Sequence, residues 1–221
     1  MEYMLKNFSE VVADSVESPT WKNLEIAVER LLCGRSKDME TNNQNKWESV
    51  AFGGGCFWCS EAVFRILKGV MAVTSGYAGG SVANPTYEQV SSENTGHAEV
   101  ILVEYDPAIV SFHKLLEVFF DSHDPTMLNR QGNDVGTQYR SIVLYMTEDQ
   151  HDAAAQYMQK LTDSGKYPNA IVTQLVLLKA FYPAEEYHKE YYTRHPSEGY
   201  AQVIIKPKVE KIKEKYSDLL K

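Results

Sequence analysis

The sequence predicts an α/β fold in which helices cover a mixed β-sheet in two layers, preceded by an N-terminal helical extension. Strand-like and helix-like segments interleave from Trp47 onward without a strict repeat, the pattern of helices packed on a sheet. The chain has 221 residues, 43% hydrophobic and 24% charged, which supports one sizeable core and excludes wholesale disorder. Residues 1 to about 45 stand apart. Phe8, Val11 and Val12, then Leu24, Ile26, Val28, Leu31 and Leu32, suggest one or two amphipathic helices broken at Ser18-Pro19. The polar run SKDMETNNQNK follows as a linker. The expected organisation is therefore an extension over 1–46, a main domain over 47–207 and a Lys-rich, solvated tail over 208–221.

Within the main domain, Val50-Ala51-Phe52 is a short apolar strand ending in three glycines. A helix is expected from Cys56 to Lys68, with Ala62, Val63, Ile66 and Leu67 at helical spacing and Gly69 stopping it. Val70–Tyr77 reads as a strand, and Ala78–Gly96, rich in Gly, Ser and Asn, as a long loop of the kind that usually carries function. Glu99–Tyr105 is strand-like. Ser111–Asp121 has the broad stripe Phe112, Leu115, Leu116, Phe119, Phe120 of a buried helix. A second polar loop runs from His123 to Arg140, followed by strand Ile142–Tyr145, helix Glu148–Leu161, strand Ile171–Leu178 and a last helix Ala184–Thr193.

Acidic residues outnumber basic ones, 30 to 22, for a formal net charge of −8, so no affinity for a nucleic-acid backbone is expected. The opening MEYMLKNFSE has no basic segment followed by a long apolar run, and a stretch such as Leu175–Leu178 is far too short to span a bilayer. Three cysteines, Cys33, Cys56 and Cys59, make a poor disulfide framework. A soluble, cytoplasmic protein with no membrane partner is the expectation.

The most informative segment is Gly53-Gly54-Gly55-Cys56-Phe57-Trp58-Cys59. A thiol between a glycine turn and a helix sits at the positive end of the helix, which favours the nucleophilic thiolate. Cys59 lies about one helical turn on, within reach of the Cys56 sulfur. A structural zinc site would need four ligands where one CxxC supplies two, and the remaining Cys and His show no finger-like spacing, so no metal is expected. Two inert core cysteines would be oddly built from a triple glycine and an intervening Phe-Trp. Thiol redox chemistry remains, as either a thioredoxin-like oxidoreductase, which needs little beyond the cysteine pair, or a reductase of an oxygen-bearing substrate. The second needs an acid for the departing oxygen and a substrate pocket.

GGGCFWCSEAVF at 53–64 resembles the GCFW motif of the type A methionine sulfoxide reductases. So do GYAGG at 76–80, NPTYEQV at 84–90, TGHAEV at 95–100, HDPT at 123–126, QGNDVGTQYRS at 131–141, FYPAEEYHKEYY at 181–192 and HPSEGY at 195–200. These blocks occur in the family's order. The resemblance implies a two-layer sandwich, in our reading a ferredoxin-like plait variant. It also implies an oxidoreductase that returns the S epimer of methionine sulfoxide, free or in proteins, to methionine in oxidative-damage repair; each enzyme class of this kind acts on one epimer. No metal or organic cofactor is implied, only an external reductant, thioredoxin in the cell or dithiothreitol in vitro.

By the same resemblance Cys56 is the nucleophile that becomes a sulfenic acid, and Glu99 is the acid, its pKa raised by burial. Read alone, Glu99 would be an ordinary strand carboxylate. Tyr87 and Tyr139 match residues that hydrogen-bond the sulfoxide oxygen, although most of the 14 tyrosines must be packing residues. Asp134 matches an aspartate near the substrate's backbone amine, against the local reading of an Asx turn. Phe57 and Trp58 match the apolar pocket for the substrate methyl group. His188 is read either as near the site or as a surface or core histidine, and is left out of the catalytic set. Many family members have GCFWG and resolve the sulfenic acid with cysteines just after a Gly-Tyr pair near the C-terminus. Here Gly199-Tyr200 is followed by Ala201 and no cysteine follows Cys59, so Cys59 is the expected resolving thiol; Cys33, if the extension folds over the site, and direct attack by an external thiol are the alternatives.

Overall fold

The computed structural model describes residues 47–221. The expected N-terminal helices, the linker up to Lys46 and Cys33 lie outside the described residues. The strands are β1 (Glu48–Gly53), β2 (Val70–Ala78), β3 (Ala98–Tyr105), β4 (Arg130–Gln131), β5 (Asp134–Val135), β6 (Ile142–Tyr145), β7 (Gln174–Leu177) and β8 (Phe181–Pro183). The α-helices are α1 (Phe57–Arg65), α2 (Tyr87–Ser91), α3 (Phe112–Ser122), α4 (Glu148–Asp163), α5 (Tyr191–Arg194) and α6 (Lys206–Lys215). Six strands form one sheet in the order β7-β6-β1-β3-β2-β8, while β4 and β5 make a separate hairpin. The sheet is mixed: β6 and β7 are parallel and the other neighbours antiparallel.

Strands β1 and β3 are the middle of the sheet and are buried on both faces, so their sequences read as apolar runs without polar alternation. Phe52 pairs with Ile101 on one side and Val143 on the other. Its ring stacks on Phe64 of α1 at 5.3 Å and Phe119 of α3 at 4.8 Å, which fixes both helices over that face. The same register sets Tyr77 opposite Glu99, at the end of β2 and β3 that lies beneath the start of α1. Helix starts are conventional where packing alone positions them. Ser111 caps α3 by accepting from Lys114 N at 3.2 Å, and Thr147 caps α4 by accepting from Gln150 N at 3.2 Å. Helix α1 is different: Cys56 occupies its N-cap position and makes no side-chain cap.

Several sequence expectations are corrected. The segment 78–96 is not loop throughout, because Thr86 and Gln89 form a capping box that starts α2. The 123–140 loop contains the β4–β5 hairpin and a 3₁₀ turn, Thr137–Tyr139. The expected helix Ala184–Thr193 is a 3₁₀ turn, Glu186–His188, then α5, separated by Glu190 in the left-handed region at φ 52°; β8 precedes them. The Ile171–Leu178 strand shrinks to Gln174–Leu177, since Val172 N donates to Pro125 O instead of to a strand.

The tail is not a solvated extension either. It forms α6, which buries Val209 and Ile212, with Tyr216 buried beyond it. Asp121, at the end of α3, receives Lys166 Nζ and Lys215 Nζ at 2.6 Å each, and also the Tyr216 hydroxyl. These bonds hold its carboxyl down to about 2 against the cost of burial. One carboxylate thus ties α6 and the segment after α4 to α3.

Candidate active site

The glycine turn passes between strand and hairpin with no room for side chains. A Cβ on Gly53 would lie 2.8 Å from the Glu99 carbonyl oxygen, and one on Gly55, at φ 93°, would lie 2.7 Å from the side chain of Gln131. The chain thereby enters α1 with Cys56 at its N-terminus, directly over the end of β3. The first amide of the helix, Phe57 N–H, donates to Glu99 Oε2 at 3.0 Å. The Glu99 carboxyl supplies the cap that Cys56 does not.

Glu99 is 2% exposed. Burial raises its pKa to about 8, further helped by the charges of Asp134 and Cys59 and only partly offset by the Phe57 amide. At neutral pH it is therefore a carboxylic acid. Since Oε2 accepts from the helix, the other oxygen can carry the acidic proton.

Cys56 and Cys59 are both buried free thiols one helical turn apart, with Cys59 N donating to Cys56 O at 3.1 Å. Burial pushes the Cys56 thiol up, and its hydrogen bond to Cys59 pushes it further. That same bond, with help from Lys208 and Tyr200, draws Cys59 down to about 7. In the resting pair the helix N-terminus does not outweigh desolvation at Cys56. Cys59 is the more acidic thiol of the pair.

The other sequence-predicted residues gather around the same helix start. Tyr87 opens α2 and Tyr139 ends the 3₁₀ turn; burial raises both phenols, and the charges of Glu99, Cys56 and Asp134 bear on each. Both are therefore neutral hydroxyl donors. Asp134 sits at the hairpin tip and accepts from Tyr200 Oη at 2.9 Å. Phe57 is buried, 5.9 Å from the Tyr77 ring. Trp58 lies parallel on Tyr191 at 3.6 Å, has Tyr200 edge-on at 5.7 Å, and donates Nε1–H to His188 Nδ1 at 3.1 Å.

Structure adds residues that the sequence did not single out. Glu185 accepts from Tyr77 Oη and Tyr87 N, each at 2.8 Å, fixing the start of α2. Glu61 accepts from Glu190 N at 3.1 Å and holds the left-handed turn that presents Tyr191. Arg140 reaches Thr137 O at 2.9 Å, Gly96 O at 2.9 Å and Gln174 Oε1 at 3.0 Å, pinning the turn that carries Tyr139. His123 lies beneath the glycine turn, with Nδ1–H donating to Phe119 O at 2.8 Å and Nε2 accepting from Ser141 at 2.7 Å. Burial holds it neutral, with a pKa down to about 4. Glu185, Glu61 and Arg140 are tens of residues away from most of what they hold, so no local pattern announces them; Glu185, His188 and Tyr191 at least fall in the block FYPAEEYHKEYY.

Among the described residues, no group of three His, Cys, Asp or Glu side chains is placed to hold a metal ion. Among them, too, no helix is long and apolar enough to cross a membrane.

A family model described as peptide methionine sulfoxide reductase matches residues 48–220. The peptide methionine sulfoxide reductase MsrA of Haloquadratum walsbyi is 53% identical over 173 residues, covering 78% of this chain and 98% of the relative. That of Acinetobacter baumannii is 52% identical over 174 residues, covering 79% and 99%. Among solved structures, Mxr1 from Saccharomyces cerevisiae in reduced form matches with a TM-score of 0.67 at 31% identity, over 72% of this chain and 91% of that one. Methionine sulfoxide reductase A of Corynebacterium diphtheriae matches with a TM-score of 0.61 at 34% identity, over 71% and 78%.

Proposed function

This chain belongs to the peptide methionine sulfoxide reductase family, and from that membership we propose that it returns the S epimer of methionine sulfoxide, free or within proteins, to methionine. It is an oxidoreductase that reduces methionine sulfoxide. The observation that supports the site assignment most directly is the Phe57 amide held by Glu99. It puts an acid that is neutral at pH 7 against the helix turn that carries the thiol. In the proposed first step the Cys56 sulfur attacks the sulfoxide sulfur while Glu99 protonates the oxygen, a poor leaving group otherwise. Tyr87 and Tyr139 donate to that oxygen, Phe57 and Trp58 enclose the methyl group, and Asp134 faces the substrate amine. The oxygen ends on Cys56 as a sulfenic acid, the methionine sulfur is reduced, and the Cys56 thiol proton restores Glu99.

In the second step Cys59 attacks the Cys56 sulfur. The S–S bond forms, the S–O bond breaks, and hydroxide leaves as water with the proton of the Cys59 thiol. Reduction of the Cys56–Cys59 disulfide by thioredoxin closes the cycle, with no metal or organic cofactor taking part. A role in repair of oxidised proteins, in the cytoplasm, is part of the same proposal. The central strand order β6-β1-β3-β2, antiparallel throughout, supports reading the fold as a ferredoxin-like plait variant.

The test is anaerobic incubation with racemic methionine sulfoxide and dithiothreitol, followed by chiral separation. Loss of the S epimer alone is expected; consumption of neither epimer, with reduction of insulin disulfides, would replace this reading with general thiol–disulfide exchange. Cys59→Ser is expected to keep one turnover per molecule without reductant, leaving a sulfenic acid that dimedone traps on Cys56. The same variant loses thioredoxin-driven cycling, and unchanged steady-state turnover with thioredoxin would remove Cys59 from the mechanism.

A further inference from the structure

Helix α6 carries the lysines Lys206, Lys208, Lys211, Lys213 and Lys215. Lys206 Nζ donates to Gln202 Oε1 at 3.4 Å and Lys211 Nζ to Asp121 O at 2.8 Å. Lys213 Nζ meets Glu210 Oε1 at 3.2 Å and Lys215 Nζ meets Asp121 Oδ2 at 2.6 Å. Among the described residues, Lys208 alone of these lysines has neither a hydrogen bond nor an ion pair. Its place is also unusual for a charge. It lies three residues after Ile205 and four before Ile212, both buried, on the stripe with which α6 packs against α1 and α3. The side chain is half-buried there, as a long stem laid along apolar surface can be. Its charge bears on two groups across that junction, Cys59 in α1 and His123 just past the end of α3.

We propose that Lys208 is a positioning residue for the resolving step, its ammonium holding Cys59 as the thiolate that attacks the oxidised Cys56. The proposal rests on the reading of Cys59 as the resolving thiol. The groups that bear on Cys59 are the Cys56 thiol on its own helix, the Tyr200 hydroxyl, Asp134 of the hairpin and Glu99 of β3. Lys208 supplies the cation that opposes the two acids. In the resting pair the hydrogen bond with Cys56 does most to make Cys59 acidic, against the cost of burial. Lys208 comes next, then Tyr200, with Asp134 opposing. Once Cys56 has taken up the substrate oxygen its thiol no longer exists, and the ammonium is the largest remaining support for a thiolate. Cys59 gives up its proton and its electron pair forms the S–S bond. The S–O pair leaves with the oxygen, and the released proton completes the water. The thiolate, not the thiol, is the nucleophile in such a step, so the ammonium sets how much of Cys59 is reactive.

The experiment is a single turnover on S-methionine sulfoxide without reductant, at fixed excess dimedone, from pH 6 to 9. Mass spectrometry reads the ratio of dimedone adduct on Cys56 to Cys56–Cys59 disulfide, which reports the resolving rate even where methionine release is slower. Removing a nearby opposite charge in Lys208→Gln is expected to raise the Cys59 pKa by about one unit. At pH 6 that leaves about tenfold less thiolate, offset about threefold by the higher nucleophilicity of a more basic thiol, so the ratio rises about threefold. At pH 9, where Cys59 is ionised with or without Lys208, the same nucleophilicity makes the variant resolve faster and the ratio falls. Lys208→Arg keeps the charge and is expected to keep the unsubstituted profile. A packing defect would shift the ratio in one direction at every pH and would not be rescued by arginine; that outcome, or superimposed profiles for Lys208→Gln and the unsubstituted protein, would overturn the role of Lys208. Absence of a Cys56–Cys59 disulfide in the unsubstituted protein would instead overturn the reading of Cys59 on which it rests.

Discussion

Cys56→Ser is expected to lower sulfoxide turnover by at least ~10⁴-fold, the scale seen when a catalytic nucleophile is removed. The reason is chemical as well as kinetic. The oxygen lost by the substrate must end on the nucleophile, and on sulfur it makes a sulfenic acid with an accessible route back. On a serine oxygen it would make a weak O–O bond with no resolving partner. Cys59 does not substitute, because it sits one turn into α1, away from the glycine turn and the Phe57 amide that Glu99 holds. Single-turnover assay on the S epimer, with the lost thiols counted, checks this; a residual rate within about a hundredfold of the unsubstituted protein would show that attack comes from elsewhere.

Glu99→Gln is expected to cost about 10²–10⁴-fold in kcat/KM, the usual worth of a positioned general acid. The amide keeps the bond from Phe57 and removes the proton. The pH profile separates this from a packing defect. In the unsubstituted protein the rate is expected to rise as the thiol pair ionises and to fall as Glu99 loses its proton around pH 8. The variant should keep the rise and lose the fall. Stability follows the same group with a definite sign. The folded value lies above the ordinary 4.5, so the native protein holds a proton that the unfolded chain releases. The stabilisation this gives is complete below about pH 4.5 and is lost as the pH rises through about 8. Melting temperatures of Glu99→Gln should therefore fall less between pH 5 and 9 than those of the unsubstituted protein, and parallel curves would refute the buried-acid assignment.

The sheet and the site were legible to different depths, for physical reasons. β6 was readable to the residue and α3 and α4 to within two, since long apolar periods leave little freedom. α2 depends on one capping box and β4 and β5 on two residues each, lengths at which no period exists. α6 carries an apolar stripe at Val209, Ile212 and Tyr216, diluted by six lysines between 206 and 221, and its burial depends on the clasp at Asp121. The resemblance named Cys56, Phe57, Trp58, Tyr87, Glu99, Asp134 and Tyr139, the departure from the family pattern added Cys59, and the fold places these side chains near one another around the start of α1. What holds them was not legible. Glu61, Arg140, Glu185 and His188 act through partners that only folding makes neighbours. The relative acidity of the two thiols was not legible either, because desolvation at Cys56 depends on how deeply α1 is set against β3.

In the proposed cycle both reacting sulfurs sit on a single short helix, which would relieve the C-terminal segment of any travelling duty. A tail that must carry a thiol to the site and leave again has to stay loose. Here the tail is instead clasped to Asp121 by Lys166, Lys215 and Tyr216. Rigidity and turnover, which ordinarily trade against each other in enzyme engineering, are thereby uncoupled in this part of the molecule. The C-terminal helix is accordingly the region to harden against heat without slowing the catalyst.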